Sequence, residues 1–238
     1  MSPNLLAVLL TAFFAGNLLA FALGKPNADG SARSIPWLQR STSLMLAALA
    51  IAIAATRAPG APLGRYAALI AVGMSVSFVA DLIMASKLPN SKRVLLGMLT
   101  FGLAHLVYMA AMLFGARALT QPTLLTLVLC EAALLGIGAL IWARFVRSPS
   151  VPAMLNTGSL GYLVLLGSMT AMACAFALTD ARWAMLAVGA LLFLASDAIL
   201  GNQIFRENRW PLSSEAVWGT YILGQAGIVL STLAVAGL

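Results

Sequence analysis

The sequence predicts an all-α polytopic membrane protein, a single bundle of eight transmembrane helices, and three observations lead there. First, 61% of the 238 residues are hydrophobic and only 9% are charged, with a mean hydropathy of +0.96, against roughly 25% charged residues in soluble domains. Second, the apolar residues gather into runs of about 20, the length an α-helix needs to cross about 30 Å of hydrocarbon. Third, Gly, Pro, Asn and the charged residues collect in short connectors between those runs. No stretch of domain size remains outside them, so residues 1–238 form one transmembrane domain.

The first run, Asn4 to Leu23, is read as a retained helix, because a signal peptide opens on a positive stretch and carries a shorter apolar core. Gly24 to Pro36, rich in Gly, Pro, Asn and Ser, is the longest loop and is expected to be mobile. Helix 2 runs from Trp37 to Thr56. Helix 3, Tyr66 to Ser86, holds Asp81 near its end, and helix 4, Val94 to Phe114, holds His105, the only histidine. Helix 5, Pro122 to Ala143, carries Cys130 and Glu131, and helix 6 runs from Leu155 to Leu178 around Cys174. Helix 7, Trp183 to Ile204, holds Asp197, and helix 8 spans Ala216 to Leu238. Runs this long, rich in Ala and Leu, satisfy their own backbone as helices and are too long for barrel strands. Both cysteines fall mid-run, where a thiol packs as a small hydrophobe.

The net charge of +7 does not form the single basic block that would suggest nucleic acid, and no nucleic-acid partner is expected. Ten of the 14 Lys and Arg lie in or beside connectors 1–2, 3–4, 5–6 and 7–8. The positive-inside rule then places those connectors in the cytoplasm and both termini outside, in what we expect to be a bacterial inner membrane. All five tryptophans fall near predicted helix ends, where interfacial aromatics sit.

Asp81 and Asp197 interrupt these apolar runs in matching contexts, each with a glycine, Gly73 or Gly189, eight residues before the carboxylate. An ionisable group inside the membrane is costly and marks a functional site by default. The two lie four helices apart, so helices 3–4 and 7–8 read as a divergent parallel repeat, with His105 and Gln225 at comparable places. At 1.5 Å per residue both aspartates sit roughly 8–10 Å from the cytoplasmic ends of their helices, as do Asn17 and Tyr162. His105 and Gln225 lie roughly 15 Å in, and a polar chamber open to the cytoplasmic leaflet would gather them all. A plainer role is also open, in which the carboxylates only hydrogen-bond helices together along small-residue stripes.

His105 shares a helical face with Phe101, Tyr108, Met109 and Met112, a candidate lining for an apolar chain; it either orients an aspartate or is a satisfied core residue. Glu131, near mid-membrane without a counterpart in the repeat, reads as structural before catalytic. Some of Lys87, Lys92, Arg93, Arg206 and Arg209 could hold a lipid phosphate beside the aspartate helices. A lone histidine does not assemble a spaced metal site, so no metal or other cofactor is expected. No Gly-x-Ser-x-Gly elbow, phosphate-binding loop, His-Glu-x-x-His or Cys-x-x-Cys occurs, which lowers serine-hydrolase, nucleotide-driven and zinc chemistries. A carboxylate pair in an apolar place remains, a setting for acid–base work.

Val188-Gly-Ala-Leu-Leu-Phe-Leu-Ala-Ser-Asp197-Ala-Ile-Leu followed by Phe205, the stretch around Asp81 with Gly102-Leu-Ala-His105-Leu-Val-Tyr108, and Tyr221 with Gln225 resemble the signatures of the YhhN-like lysoplasmalogenase family. The likeness extends in segment order over nearly the whole chain. It departs where Gln203-Ile204-Phe205 stands for an expected Asn-Arg-Phe and Arg40-Ser41 for a Lys-Pro. The resemblance implies a metal-independent ether hydrolase that cleaves the vinyl ether of lysoplasmalogen to a fatty aldehyde and glycerophosphoethanolamine or glycerophosphocholine. With this chemistry in view we expect Asp81 and Asp197 to be the catalytic pair, one acid and one base, with His105 nearby, and Tyr108, Tyr221, Gln225, Asn17 and Tyr162 to bind a lysophospholipid substrate. The apolar stripes of helices 3, 4 and 7 would hold its chain. A proton-coupled carrier of lipids or small molecules is the rival reading, since carriers also use repeats and membrane carboxylates.

Overall fold

The computed structural model describes residues 3–237. Among them are eight α-helices in chain order, α1 (Pro3–Ala22), α2 (Pro36–Ala55), α3 (Pro62–Met84), α4 (Asn90–Gly115), α5 (Leu124–Ile141), α6 (Ala153–Thr179), α7 (Ala184–Arg206) and α8 (Ser213–Ala234), and no strand. Seven of these, α2 to α8, are long and apolar enough to cross a membrane; the apolar stretch described in α1, Leu6–Ala22, is shorter. The chain is thus a polytopic helical membrane protein. Several helices begin up to four residues before the apolar runs do. Prolines 36 and 62 occupy first-turn positions, where the missing N–H costs nothing, and polar residues 90–93 supply the first turn of α4 outside the hydrocarbon. Helix 5 ends earlier than its apolarity suggests and passes into a π-helical turn, Trp142–Val146, that packs against α7.

The most extensive packing joins α7 to α8 and α3 to α4, the two halves of the expected repeat. The matching glycines explain the intimacy. A Cβ on Gly73 would stand 2.3 Å from the Tyr108 ring of α4, and one on Gly189 would stand 2.7 Å from the Gly224 carbonyl oxygen of α8. Small residues let helices approach closely where no water is available to drive them together. Helices α3 and α7 are not packing partners; α8 packs against both, and α4 and α6 link them on the other side.

The loop between α1 and α2, expected to be mobile, is tied down. Gly30 and Ser31 accept hydrogen bonds from the Leu212 and Ser214 amides at 3.0 and 2.9 Å, and Glu215 Oε1 accepts from the amides of Arg33 and Ser34 at 2.6 and 2.7 Å. One carboxylate oxygen thus satisfies two loop donors, which composition alone does not reveal. The tryptophans also divide. Trp37 and Trp210 are exposed, whereas Trp183 is fully buried, edge-on to Tyr66 and Phe176. Trp142 Nε1 donates to Ser159 Oγ, and Trp218 Nε1 to Asn17 Oδ1.

Candidate active site

Two polar networks lie inside the bundle, on either side of Phe193. In the first, Asp81 Oδ2 accepts from Ser43 Oγ of α2 at 2.5 Å and from the Tyr221 hydroxyl of α8 at 2.8 Å. Tyr221 then contacts Gln225 Nε2 at 3.5 Å, and Gln225 Oε1 accepts from the Tyr108 hydroxyl of α4 at 2.9 Å. In the second, the Tyr162 hydroxyl of α6 donates to Asp197 Oδ2 and lies 3.1 Å from His105 Nε2. With the Tyr162 hydrogen committed to Asp197, His105 Nε2 is the donor to the phenol oxygen. His105 Nδ1 is buried without a partner.

The partnerships cross between the two helix pairs: Tyr221 of α8 serves Asp81 of α3, and His105 of α4 reaches Asp197 of α7 through Tyr162. Phe193 stands between the networks, 5.0 Å from the His105 ring and 5.2 Å from that of Tyr221, with Phe101 5.8 Å from Phe193 and 5.9 Å from Tyr221.

A cavity of about 250 Å³ reaches the second network. Asp197 and Tyr162 are on its wall with Ser159, and nearly all the other lining groups are apolar. Asp81 is not on it; Phe101 is, with the Asp81–Tyr221 pair behind. The wall comes from α4, α5, the π-helical turn, α6 and α7, with Met84 alone from α3. The apolar lining is thus not the expected combination of helices 3, 4 and 7. The stripe beside His105 contributes only Phe101, because Tyr108 and Met112 turn into the core.

The predicted residues therefore separate. Asp197, Tyr162 and His105 form one chain at the cavity, and Asp81, Tyr221, Gln225 and Tyr108 form another behind Phe101. Asn17 joins neither: it accepts from Trp218 and from Thr42 Oγ1 and lines a separate cavity of about 240 Å³ between α1 and α8. Glu131 accepts from Ser168 Oγ at 2.5 Å and links α5 to α6 away from both. Sequence reasoning passed over Ser43, although the Ser41-Thr42-Ser43 cluster, which extends the polar Gln39-Arg40 pair into the apolar part of the helix, was a signal for it. It also passed over the α5 wall, Ile137, Gly138 and Ile141, which carries no polar mark.

Among the described residues no three His, Cys, Asp or Glu side chains cluster as metal ligands would. Cys130 and Cys174 are free thiols in a small apolar cluster.

An α-helical membrane bundle with a carboxylate, a phenol and an imidazole in series at an apolar cavity has the equipment of a membrane-embedded acid–base site. The family model of the YhhN family matches residues 38–232. The chain belongs to that family, which includes lysoplasmalogenases. No curated protein and no solved structure matches it.

Proposed function

We infer that the protein is a lysoplasmalogenase-type hydrolase that opens the vinyl ether of a single-chain glycerophospholipid. The observation that carries this reading is the Asp197–Tyr162–His105 chain, delivered to the wall of an otherwise apolar cavity. Cleaving a vinyl ether requires a proton on the β-carbon and a water molecule on the carbon bearing oxygen, and a positioned carboxyl supplies both functions. Asp197, as the acid, protonates the β-carbon, and the C=C electrons leave an oxocarbenium ion. Water adds to that cation while Asp197, now a carboxylate, takes its proton. The hemiacetal then collapses, the C–O bond to glycerol breaks with a proton passing to the glycerol oxygen, and a fatty aldehyde leaves.

Tyr162 fixes the Asp197 carboxyl and returns a hydrogen bond to it as a carboxylate, and His105 holds the phenol. Asp81 completes the pair from behind Phe101 and Phe193, its charge favouring the oxocarbenium ion through a medium of low dielectric. Tyr108, Tyr221 and Gln225 position Asp81. The π-turn end of the cavity lies beside the connectors that carry Lys87, Lys92, Arg93, Arg144, Arg147, Arg206 and Arg209. Arg93 has a buried Nε without a partner next to Val94 of the wall, a place for the lipid phosphate. The same excess of positive charge supports a cytoplasmic position for this end.

Purified protein incubated with lysoplasmalogen and, separately, with the ester lysolipid tests the reading. Aldehyde from the vinyl ether alone, lost in Asp197→Asn, is the expected result. Accumulation of intact lipid in vesicles without aldehyde would replace the enzyme by a carrier.

A further inference from the structure

The cavity has a side opening. Of its lining residues, the ones exposed on the outside of the bundle are Ile137 on α5 and Leu191 and Ala195 on α7; Ile137 is 54% exposed and Leu191 42%. Helices α5 and α7 are not packing partners, but each packs against α6. Tyr162, Leu163 and Leu166 of α6 therefore form the floor of a cleft whose lips are α5 and α7. At one end the lips are pinned together: the π-helical turn packs on α7, and Asn202 Nδ2 donates to the Phe145 carbonyl at 2.7 Å. Away from that pin α5 stands apart, with only 11% of its apolar stretch buried, against 33–50% in the other six long helices.

We propose that the cleft between α5 and α7 is a lateral port through which the hydrocarbon chain of a single-chain glycerophospholipid slides in from the surrounding leaflet. An opening flanked by exposed Ile and Leu at membrane depth faces lipid, not water, so an aqueous route to this wall does not exist at the lips. About 250 Å³ lies below the roughly 300–1,000 Å³ of sites that bury drug-sized ligands, room for one alkyl chain and not two.

The geometry also sets the direction. Along α7, Asp197 lies about 9 Å from Leu191 and about 14 Å from Arg206. A lipid with its phosphate at the basic, pinned end and its chain running out past Leu191 brings the bond next to glycerol to Asp197. This inference rests on the same site as the proposed hydrolysis but concerns access and binding, so a probe that the enzyme does not cleave separates the two.

The probe is an ester lysophospholipid with a diazirine at mid-chain, photolysed in nanodiscs against Cys130→Ala/Cys174→Ala protein carrying Ile137→Cys, before and after attachment of a bulky maleimide. We expect label on the Leu163–Leu166 segment of the floor, reduced at least tenfold once Ile137 is blocked. The same block at Leu129→Cys, two turns away on the exposed face of α5, leaves the label in place. Ala195→Trp on the opposite lip reproduces the loss without any reagent, with unchanged elution and melting as the check on folding. Floor label that persists with the lip blocked, label that never reaches the floor, or equal loss at Leu129 would each overturn the port. Aldehyde release from lysoplasmalogen is read on the same samples. Floor label without aldehyde refutes the hydrolase and leaves the port standing; aldehyde with floor label that persists after the lip is blocked does the reverse.

Discussion

Replacing Tyr162 by Phe removes one oxygen and keeps the ring that floors the cavity. That oxygen is the only hydrogen-bond partner of Asp197 among the described residues and the only one of His105. A hydrogen bond to a charged group contributes roughly 1.5–3 kcal/mol, and at about 1.4 kcal/mol per factor of ten its loss from the reacting state slows aldehyde release roughly 10- to 150-fold. Most of that belongs in kcat, because Tyr162 acts on the orientation of the acid and not on the chain in the cleft. The assay is initial-rate aldehyde release with a coupled dehydrogenase, at several lysoplasmalogen concentrations, on protein whose melting temperature is checked in parallel. A Tyr162→Phe protein that is folded and turns over at the wild-type rate would refute the relay, because Asp197 would then need no orienting phenol. A change confined to KM would recast Tyr162 as a substrate contact.

Other substitutions follow from the same geometry. Asp197→Asn, which removes the acid itself, should cost about 10²–10⁴-fold in kcat. Asp81→Asn, separated from the cavity by Phe101, should cost less, about 10–100-fold on the scale of one or two hydrogen bonds; equal losses would show that both carboxyls touch the substrate. Glu131→Gln keeps an acceptor for Ser168 and should leave turnover within about twofold, since ordinary substitutions away from a site change little; a tenfold loss would bring Glu131 into the mechanism. Gly73→Ala forces a methyl into the Tyr108 ring and should destabilise by about 1–3 kcal/mol, as overpacking does, visible as a lower melting temperature in detergent; an unchanged midpoint would contradict the close α3–α4 approach.

Much of the fold was legible because lipid imposes a simple rule. Apolar runs of the right length must be helices, and each of the eight runs corresponds to one helix. Helix ends were less legible, since hydropathy marks the hydrocarbon boundary and not the last hydrogen-bonded turn; Pro62 and Asn90 start helices that apolarity alone would begin four residues later. The candidate site residues were legible for the opposite reason. Asp81, Asp197, His105 and Tyr162 stand out because their polarity is expensive where they lie. What surrounds them was not: the cavity wall on α5 consists of Ile137, Gly138 and Ile141, residues no different in type from their lipid-facing neighbours. Only packing distinguishes them. The partition by Phe101 and Phe193 was hidden likewise, because helical depth placed both aspartates at one level but did not fix what lay between them. Asn17 shared that depth and belongs to another cavity.

In the proposed reaction a carboxyl at the cavity delivers a proton to the β-carbon of a vinyl ether. Turnover of lysoplasmalogen in D₂O, with the aldehyde reduced at once to the alcohol and examined by mass spectrometry, tests it most directly. The product should carry one deuterium on the carbon next to the former carbonyl, and Asp197→Asn should not form it. Aldehyde without that deuterium, or undiminished aldehyde from Asp197→Asn, would contradict the proposed reaction.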